Sequence, residues 1–188
     1  MAFDFASRFE KLSGIVHRVD SEAAAAATIA EICRTSRTGC IALAGLPPTL
    51  AALINEACTQ ACPELSILSE PYAANDLPLA IDQADIGITT ISFAIAQSGT
   101  MVEVADNDAI RLVSSLPRIH IGLLRAEDII EYYYDCAGRI RETIAAHPDN
   151  LVISFISGPS RTGDIELKLT LGVHGPEEAH CVIIDAAA

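Results

Sequence analysis

Hydrophobic positions along the chain follow two periods, one near every second residue and one near every third or fourth. The switching between them sets the expected elements. Phe3, Phe5, Phe9 and Leu12 lie on one side of a short amphipathic helix over residues 2–12, able to pack on the domain or on another subunit. Ser21 is a good N-cap for an Ala-rich helix from Ala23 to about Arg34. Cys40–Ala44 is a continuous apolar run stopping at Gly45, the pattern of a buried strand, and Pro47-Pro48 opens a helix that reaches about Ala61. Leu65–Leu68 reads as a second strand, Pro71–Asp76 as a loop, and Leu77–Ala84 as helical or irregular.

Further strands are expected at Ile86–Thr90, Met101–Val104, Arg118–Leu124, Leu151–Ile156 and His180–Ile184. Phe93–Ala96 is a turn of helix or a continuation of the strand before it. Helices are expected at Ala109–Ser115, at Thr162–Thr170, and from Glu127 to about Ala146, where Ile129, Ile130, Tyr133, Cys136, Ile140 and Ile144 approximate one face. Strands alternating with helices predict an α/β protein, an open sheet of about six or seven strands with helices on both faces. The length of 188 residues suits one domain over 1–188, with 1–20 as an N-terminal helical extension.

Charge narrows the partners. Lys and Arg number 12 against 25 Asp and Glu, a formal charge of -13. This opposes nucleic-acid binding, which needs a basic footprint, and contact with anionic membrane surfaces. No apolar run approaches the roughly 18 residues of a membrane span. Met1–Arg8 lack a basic stretch followed by an apolar one, so a cytoplasmic location is expected. Cys33, Cys40, Cys58, Cys62, Cys136 and Cys181 are scattered, as reduced buried side chains would be. Cys58 and Cys62 are one helical turn apart with no third or fourth ligand nearby, so no metal and no intrinsic cofactor is expected. Neither G-x-G-x-x-G nor G-x-x-x-x-G-K-[ST] occurs, which removes a dinucleotide fingerprint and a P-loop.

The chemistry concentrates late in the chain. The run Leu151–Ile156 breaks at Gly158-Pro159 and is followed by Ser160, Arg161 and Thr162. A strand, a Gly-Pro turn and a hydroxyl-rich helix start is how α/β folds offer backbone N–H groups to an anion. Ser160 and Thr162 either cap that helix or bind a ligand, and Arg161 either grips a carboxylate or phosphate or braces the fold through a nearby acid. Of Asp164 and Glu166, two apart on a helix, only one can face such a site, and Asp164 is the candidate. Ser98-Gly99-Thr100 and His174-Gly175-Pro176 would join this loop beyond the carboxyl ends of parallel strands. His174 is the candidate acid or base, or else it braces its turn. His120, in an apolar strand, reads as structural. Glu103, between valines, reads as solvent-facing on an edge strand, with a buried functional acid as the other possibility.

Three blocks carry a resemblance: Ser157–Glu166 followed by Leu171–Pro176, then Ile88–Thr100, then Arg111–Ile121. Together they resemble the lactate-utilisation (LUD) domain family, of the protein C type, strongly over the second half of the chain and by general layout over the first. The resemblance implies the Rossmann-like layered fold shared by glucosamine-phosphate deaminases, ribose-phosphate isomerases and CoA-transferases. It implies a subunit acting with iron–sulfur partner proteins in oxidising L-lactate to pyruvate, the clusters residing in those partners. It also implies a small anionic metabolite in the cleft and is compatible with a homodimer. Other readings are a self-contained enzyme on small phosphorylated or acylated metabolites and a non-catalytic scaffold. Ser92 and Gln97 stand where relatives commonly carry an acid and a glutamate; Gln97 has no titratable proton, which argues against covalent chemistry through that position.

Overall fold

Strands that are apolar on both sides of the pleat need cover on both faces, and the inner strands of the central sheet are of this kind. The structure is a computed structural model and describes residues 2–73, 77–147, 151–163, 169–172 and 174–185. Numbered in chain order, the central sheet comprises β1 (Ile15–Val19), β2 (Cys40–Ala44), β3 (Ser66–Ser69), β4 (Ile86–Thr90), β7 (Ile119–Arg125) and β12 (Glu178–Ile184). Their spatial order is β1-β12-β7-β4-β2-β3, and every neighbouring pair is parallel. A second sheet of β5 (Phe93–Ile95), β6 (Thr100–Ala105), β8 (Ile129–Ile130) and β9 (Val152–Ile156) has the order β8-β5-β6-β9. β10 (Arg161–Gly163) and β11 (Leu169–Leu171) form a separate antiparallel pair.

On one face of the central sheet lie α2 (Glu22–Thr35) and α3 (Pro48–Ala61), whose Ile29, Cys33 and Ile54 meet Ile41, Ile88, Ile121 and Val182. The opposite face is divided. α4 (Leu77–Asp82) and α5 (Asp108–Ser115) cover β2 through Ile81, Ile110 and Val113. α1 (Phe5–Lys11) and the second sheet cover β12, with Phe5, Phe9 and Met101 against Cys181 and Ile183. α6 (Cys136–Ala146) closes the outer side of the second sheet over Phe93, Ile95 and Val102. Phe9 has no exposed surface, and burying such a side chain stabilises by about 1.5–3 kcal/mol. Ser21 caps α2 as expected, its side chain accepting from the Ala24 N–H. Among the described residues no helix is long and apolar enough to cross a membrane.

Three expectations change. The stretch from Glu127 to Ala146 is not one helix: Ala126–Asp128 and Tyr133–Asp135 are single 3-10 turns, Ile129–Ile130 is β8, and only the last part is helical. β8 pairs in parallel with Ala94 and Ile95, and a β-branched pair followed by three tyrosines suits extended chain better than helix. Thr162–Thr170 is not a helix at its described ends, which are β10 and β11; Thr162 pairs with Thr170, and residues 164–168 lie outside the described residues. Leu169-Thr170-Leu171 alternates with the period of a strand. The segment 1–20 holds β1 as well as α1, and β1 pairs with β12 at the sheet edge. Its polar His17 and Arg18 interrupt the apolar run that marks the inner strands.

Gly87 is where α5 lies directly on β4. A Cβ there would stand 1.8 Å from the Val113 carbonyl oxygen. Gly87→Ala is expected to lower stability by about 1–3 kcal/mol or more, because backbone rather than a flexible side chain must yield. Gly138→Ala, in α6 where nothing lies within 4 Å of the new methyl, should raise it by about 0.5–1 kcal/mol. Urea titration of both variants measures the contrast.

Candidate functional site

β12 turns alternate residues to opposite faces. Ala179, Cys181 and Ile183 face the second sheet and α1, while Val182 and Ile184 join the core under α2 and α3. A cleft of about 320 Å³ opens at the amino ends of β7 and β12. Ser114 and Ser115 line it from the end of α5, His120 and Ala179 from the sheet, Ser154 to Gly158 from β9 and the turn after it, and Ser160 with His174-Gly175-Pro176 from the segments flanking the hairpin. The carboxyl ends of the parallel strands, expected to carry the site, do not form this cleft. β9 pairs antiparallel with β6 in the second sheet, so the turn that follows it is not bound to the carboxyl edge of the central one.

Beneath the cleft lies an acid that the strand pattern placed in solvent. Glu103 is 0% exposed. β6 is an internal strand, paired to β5 and β9, and Glu103 lies on the same side as Met101 and Ala105, toward the central sheet. Its Oε1 accepts from Thr89 Oγ1 at 2.6 Å and its Oε2 from Ser114 Oγ at 2.7 Å. Thr89 has only one hydroxyl hydrogen, so at 2.9 Å it is His120 Nε2–H that donates to Thr89 Oγ1. That fixes the neutral ring with its lone pair on Nδ1.

Burial pushes the Glu103 carboxyl above the usual carboxylate range, and the hydroxyls of Ser114 and Thr89 partly restrain it. Burial, with a smaller contribution from His180, lowers His120 to about 4. His120 is therefore neutral at neutral pH, and Glu103 is a stronger base than a surface carboxylate. Ser114 and His120 belong both to this array and to the cleft lining, so they connect the buried acid with whatever the cleft holds.

The residues proposed from sequence separate into two groups. Gly158, Ser160 and His174 meet in the cleft. Ser160 N–H donates to the Pro176 carbonyl at 2.8 Å, its carbonyl accepts from Gly172 N–H at 3.1 Å, and its Oγ accepts from His174 N–H at 3.3 Å. Ser160 thus joins the two ends of the hairpin and caps no helix. Arg161 is exposed on β10 and does not line the cleft; with a strand in place of the helix, consecutive side chains diverge. Thr162 belongs to β10, and Asp164 lies outside the described residues.

Ser98, Gly99 and Thr100 stand behind the cleft. Ser98 Oγ and Thr100 Oγ1 are 2.8 Å apart, and Thr100 Oγ1 lies 2.8 Å from Ser157 Oγ. Gly99 has φ +63°, and a Cβ there would stand 2.7 Å from the α1 backbone at Arg8 and Phe9. Gly158, at φ +112°, would bring one within 2.5 Å of the Leu12 carbonyl oxygen. Both glycines therefore admit α1 and the residue after it. Gln97 Oε1 accepts from the Tyr133 N–H at 2.9 Å, and Ser92 is exposed, so neither position belongs to the cleft. Sequence reasoning missed Glu103, Ser114 and His120 as one unit, although Ser114 and His120 both fall within the third block, Arg111–Ile121.

Residues 4–184 match the LUD domain, and the chain belongs to that family. Among its relatives are two named lactate utilization protein C. That of Shouchella clausii is 37% identical over 127 residues, 64% of this chain and 56% of the relative. That of Bacillus subtilis is 36% identical over 106 residues, 55% of this chain and 43% of the relative. The chain thus spans about half the length of the curated relatives it matches. A solved structure of a DUF162 family protein from Deinococcus radiodurans shares the fold, with a TM-score of 0.62 at 21% identity, covering 96% of this chain and 93% of the other.

The buried imidazole carries a pH signature. His120 has a folded pKa of about 4 against an ordinary 6.5, so the unfolded chain binds the extra proton between those values. Its contribution to stability is complete above pH 6.5 and is lost as the pH falls toward 4, about 3 kcal/mol in all. Urea titrations from pH 7.5 to 4 should show His120→Gln losing correspondingly less than wild type.

Proposed function

We propose that the chain serves lactate utilisation by binding a small hydroxy-carboxylate in the cleft and acting with iron–sulfur subunits that carry the electrons. The carrying observation is the buried Glu103, joined through Ser114 and through Thr89 to His120 beside a cleft whose other polar side chains are serines and His174. Among the described residues, no Lys or Arg lines the cleft. That favours a carboxylate of single charge, held by an imidazole and hydroxyls, over a phosphate dianion. The names of the relatives support a lactate-utilisation setting. The partner assignment rests on the resemblance of the three sequence blocks.

Oxidation of lactate to pyruvate removes two electrons and two protons. The hydroxyl proton of a bound hydroxy acid has a route to Glu103 if the acid's oxygen replaces or approaches Ser114 Oγ, since Glu103 is the acceptor already in place at 2.7 Å. His174, exposed and lining the cleft, would meet the carboxylate. The remaining proton and both electrons pass to the partner subunits.

Calorimetric titration of the purified chain with L-lactate and with phosphate, followed by lactate-dependent electron transfer in the presence of the iron–sulfur subunits, tests this reading. L-lactate should bind in preference to phosphate. Ser114→Ala and His174→Gln should each weaken it about tenfold to a hundredfold, the range for hydrogen bonds to a charged group. Glu103→Gln should leave binding nearly intact and slow electron transfer by about 10² or more. Preference for phosphate, or affinity unchanged in both Ser114→Ala and His174→Gln, would overturn it.

A further inference from the structure

A second polar array lies on the opposite face of β12. His17 of β1 and His180 of β12 approach with Nε2 and Nδ1 3.1 Å apart. The rings are parallel within 1° and their centroids are 5.3 Å apart, about the N···N distance plus two ring radii, so they meet edge to edge. His180 Nε2 lies 3.2 Å from Glu178 Oε2. An ionised carboxylate only accepts, so Nε2–H of His180 donates to Glu178. Nδ1 of the neutral His180 is then an acceptor and takes the Nε2–H of His17. His17 keeps a lone pair on Nδ1, which meets no donor among the described residues. Burial lowers both imidazoles, His180 adding to the effect on His17, so both rings are neutral at neutral pH.

This array forms one wall of a cavity of about 540 Å³ whose other wall is α2. Thr28 and Thr35 line it, and each directs its hydroxyl hydrogen to a helix carbonyl: Thr28 to Ala24 and Thr35 to Glu31, both at 2.9 Å. They offer lone pairs only. Glu31 and Glu178 supply the charge; Glu31 is hydrogen-bonded by Arg34, and Glu178 has Arg118 at 3.6 Å, but neither arginine lines the cavity. Ser36 alone keeps a rotatable hydroxyl. Ala27 and Ile32 make the remaining wall apolar.

We propose that this cavity binds a small alkyl amine in its ammonium form. The ammonium donates to His17 Nδ1 and Glu178, and the alkyl stem lies along Ala27 and Ile32. Three N–H donors on a cation match a lining that is almost wholly acceptor. Among the described residues no three His, Cys, Asp or Glu side chains converge as metal ligands. An organic cation can bridge acceptors that are spread over a wall, whereas a metal ion needs them at one point. The site shares β12 with the cleft and does not depend on the function assigned there.

Histidine-ring ¹⁵N–¹H correlation spectra of the full chain at pH 7.5 test it, titrating butylamine hydrochloride against sodium chloride, sodium butyrate and 1-butanol, with zinc chloride as a separate arm. Butylamine should give a saturable shift of His17 and His180 that the three controls do not. Glu178→Gln should weaken it about tenfold or more, the effect of losing a charged hydrogen-bond partner, and Glu31→Gln should weaken it less. The titratable groups facing the ligand are His17, His180, Glu178 and Glu31. Affinity should therefore fall as the pH drops below the ordinary imidazole value of 6.5 and the His pair gains a proton, turning an acceptor into a cation. Shifts equal with butyrate or butanol, no saturation, unchanged affinity in both Gln variants, or zinc that binds stoichiometrically and displaces the amine would each overturn the proposal. If Glu178→Gln does not fold, Glu31→Gln and the pH series decide it.

Discussion

A carboxylate without access to water joins the two sheets. Glu103 comes from β6, Thr89 from β4 and Ser114 from α5, and the three meet within 2.7 Å bonds. Burying an acid is unfavourable unless its oxygens are satisfied, and here each has a hydroxyl donor. The arrangement constrains its surroundings in turn. Ser114 can reach Glu103 because Gly87 lets α5 lie on the strand. Gly122, beside Thr89 in the β4–β7 register, leaves the space that Ile91 and Met101 fill as the second sheet approaches. Two missing side chains and one buried acid thus decide how closely three layers stack.

The inner strands of the central sheet were legible because they are continuous apolar runs. Cys40–Ala44 and Ile86–Thr90 have the bounds read from the sequence. α2, α3 and α5 were legible for the complementary reason, a cap or proline at the start and an apolar face along the helix. The elements that escaped owe their conformation to distant partners. Ile129-Ile130 is a strand because β5 offers it an edge, and local spacing there mimics a helix. β10 and β11 are strands because they face each other, a fact no window of consecutive residues contains.

The candidate site divides along the same line. Gly158, Ser160 and His174 do lie together, but because a hairpin brings the two ends of a short stretch together, not because they sit beyond the carboxyl ends of parallel strands. Arg161 does not line the cleft: a helix start would have set it beside Ser160 at one anion, whereas it lies exposed on a strand. Glu103, Ser114 and His120 were hidden for a different reason. Whether a glutamate between valines faces water or core depends on which strands flank it and what lies over them. Only the pairing of β6 on both edges answers that.

The close approach of Gly99 and Gly158 to the N-terminal helix gives the cleft a rear support. α1 and Leu12 press on the turns from behind, while the cleft opens on the other side of Gly158. A ligand drawing Gly158 inward would pull it away from Leu12, and a helix seated more firmly would push it toward the ligand. If the cleft binds as proposed, occupancy at the front and docking at the back would be linked through one turn with no side chain to cushion it. The opening residues of the chain would then bear on recognition although none of those described lines the cleft.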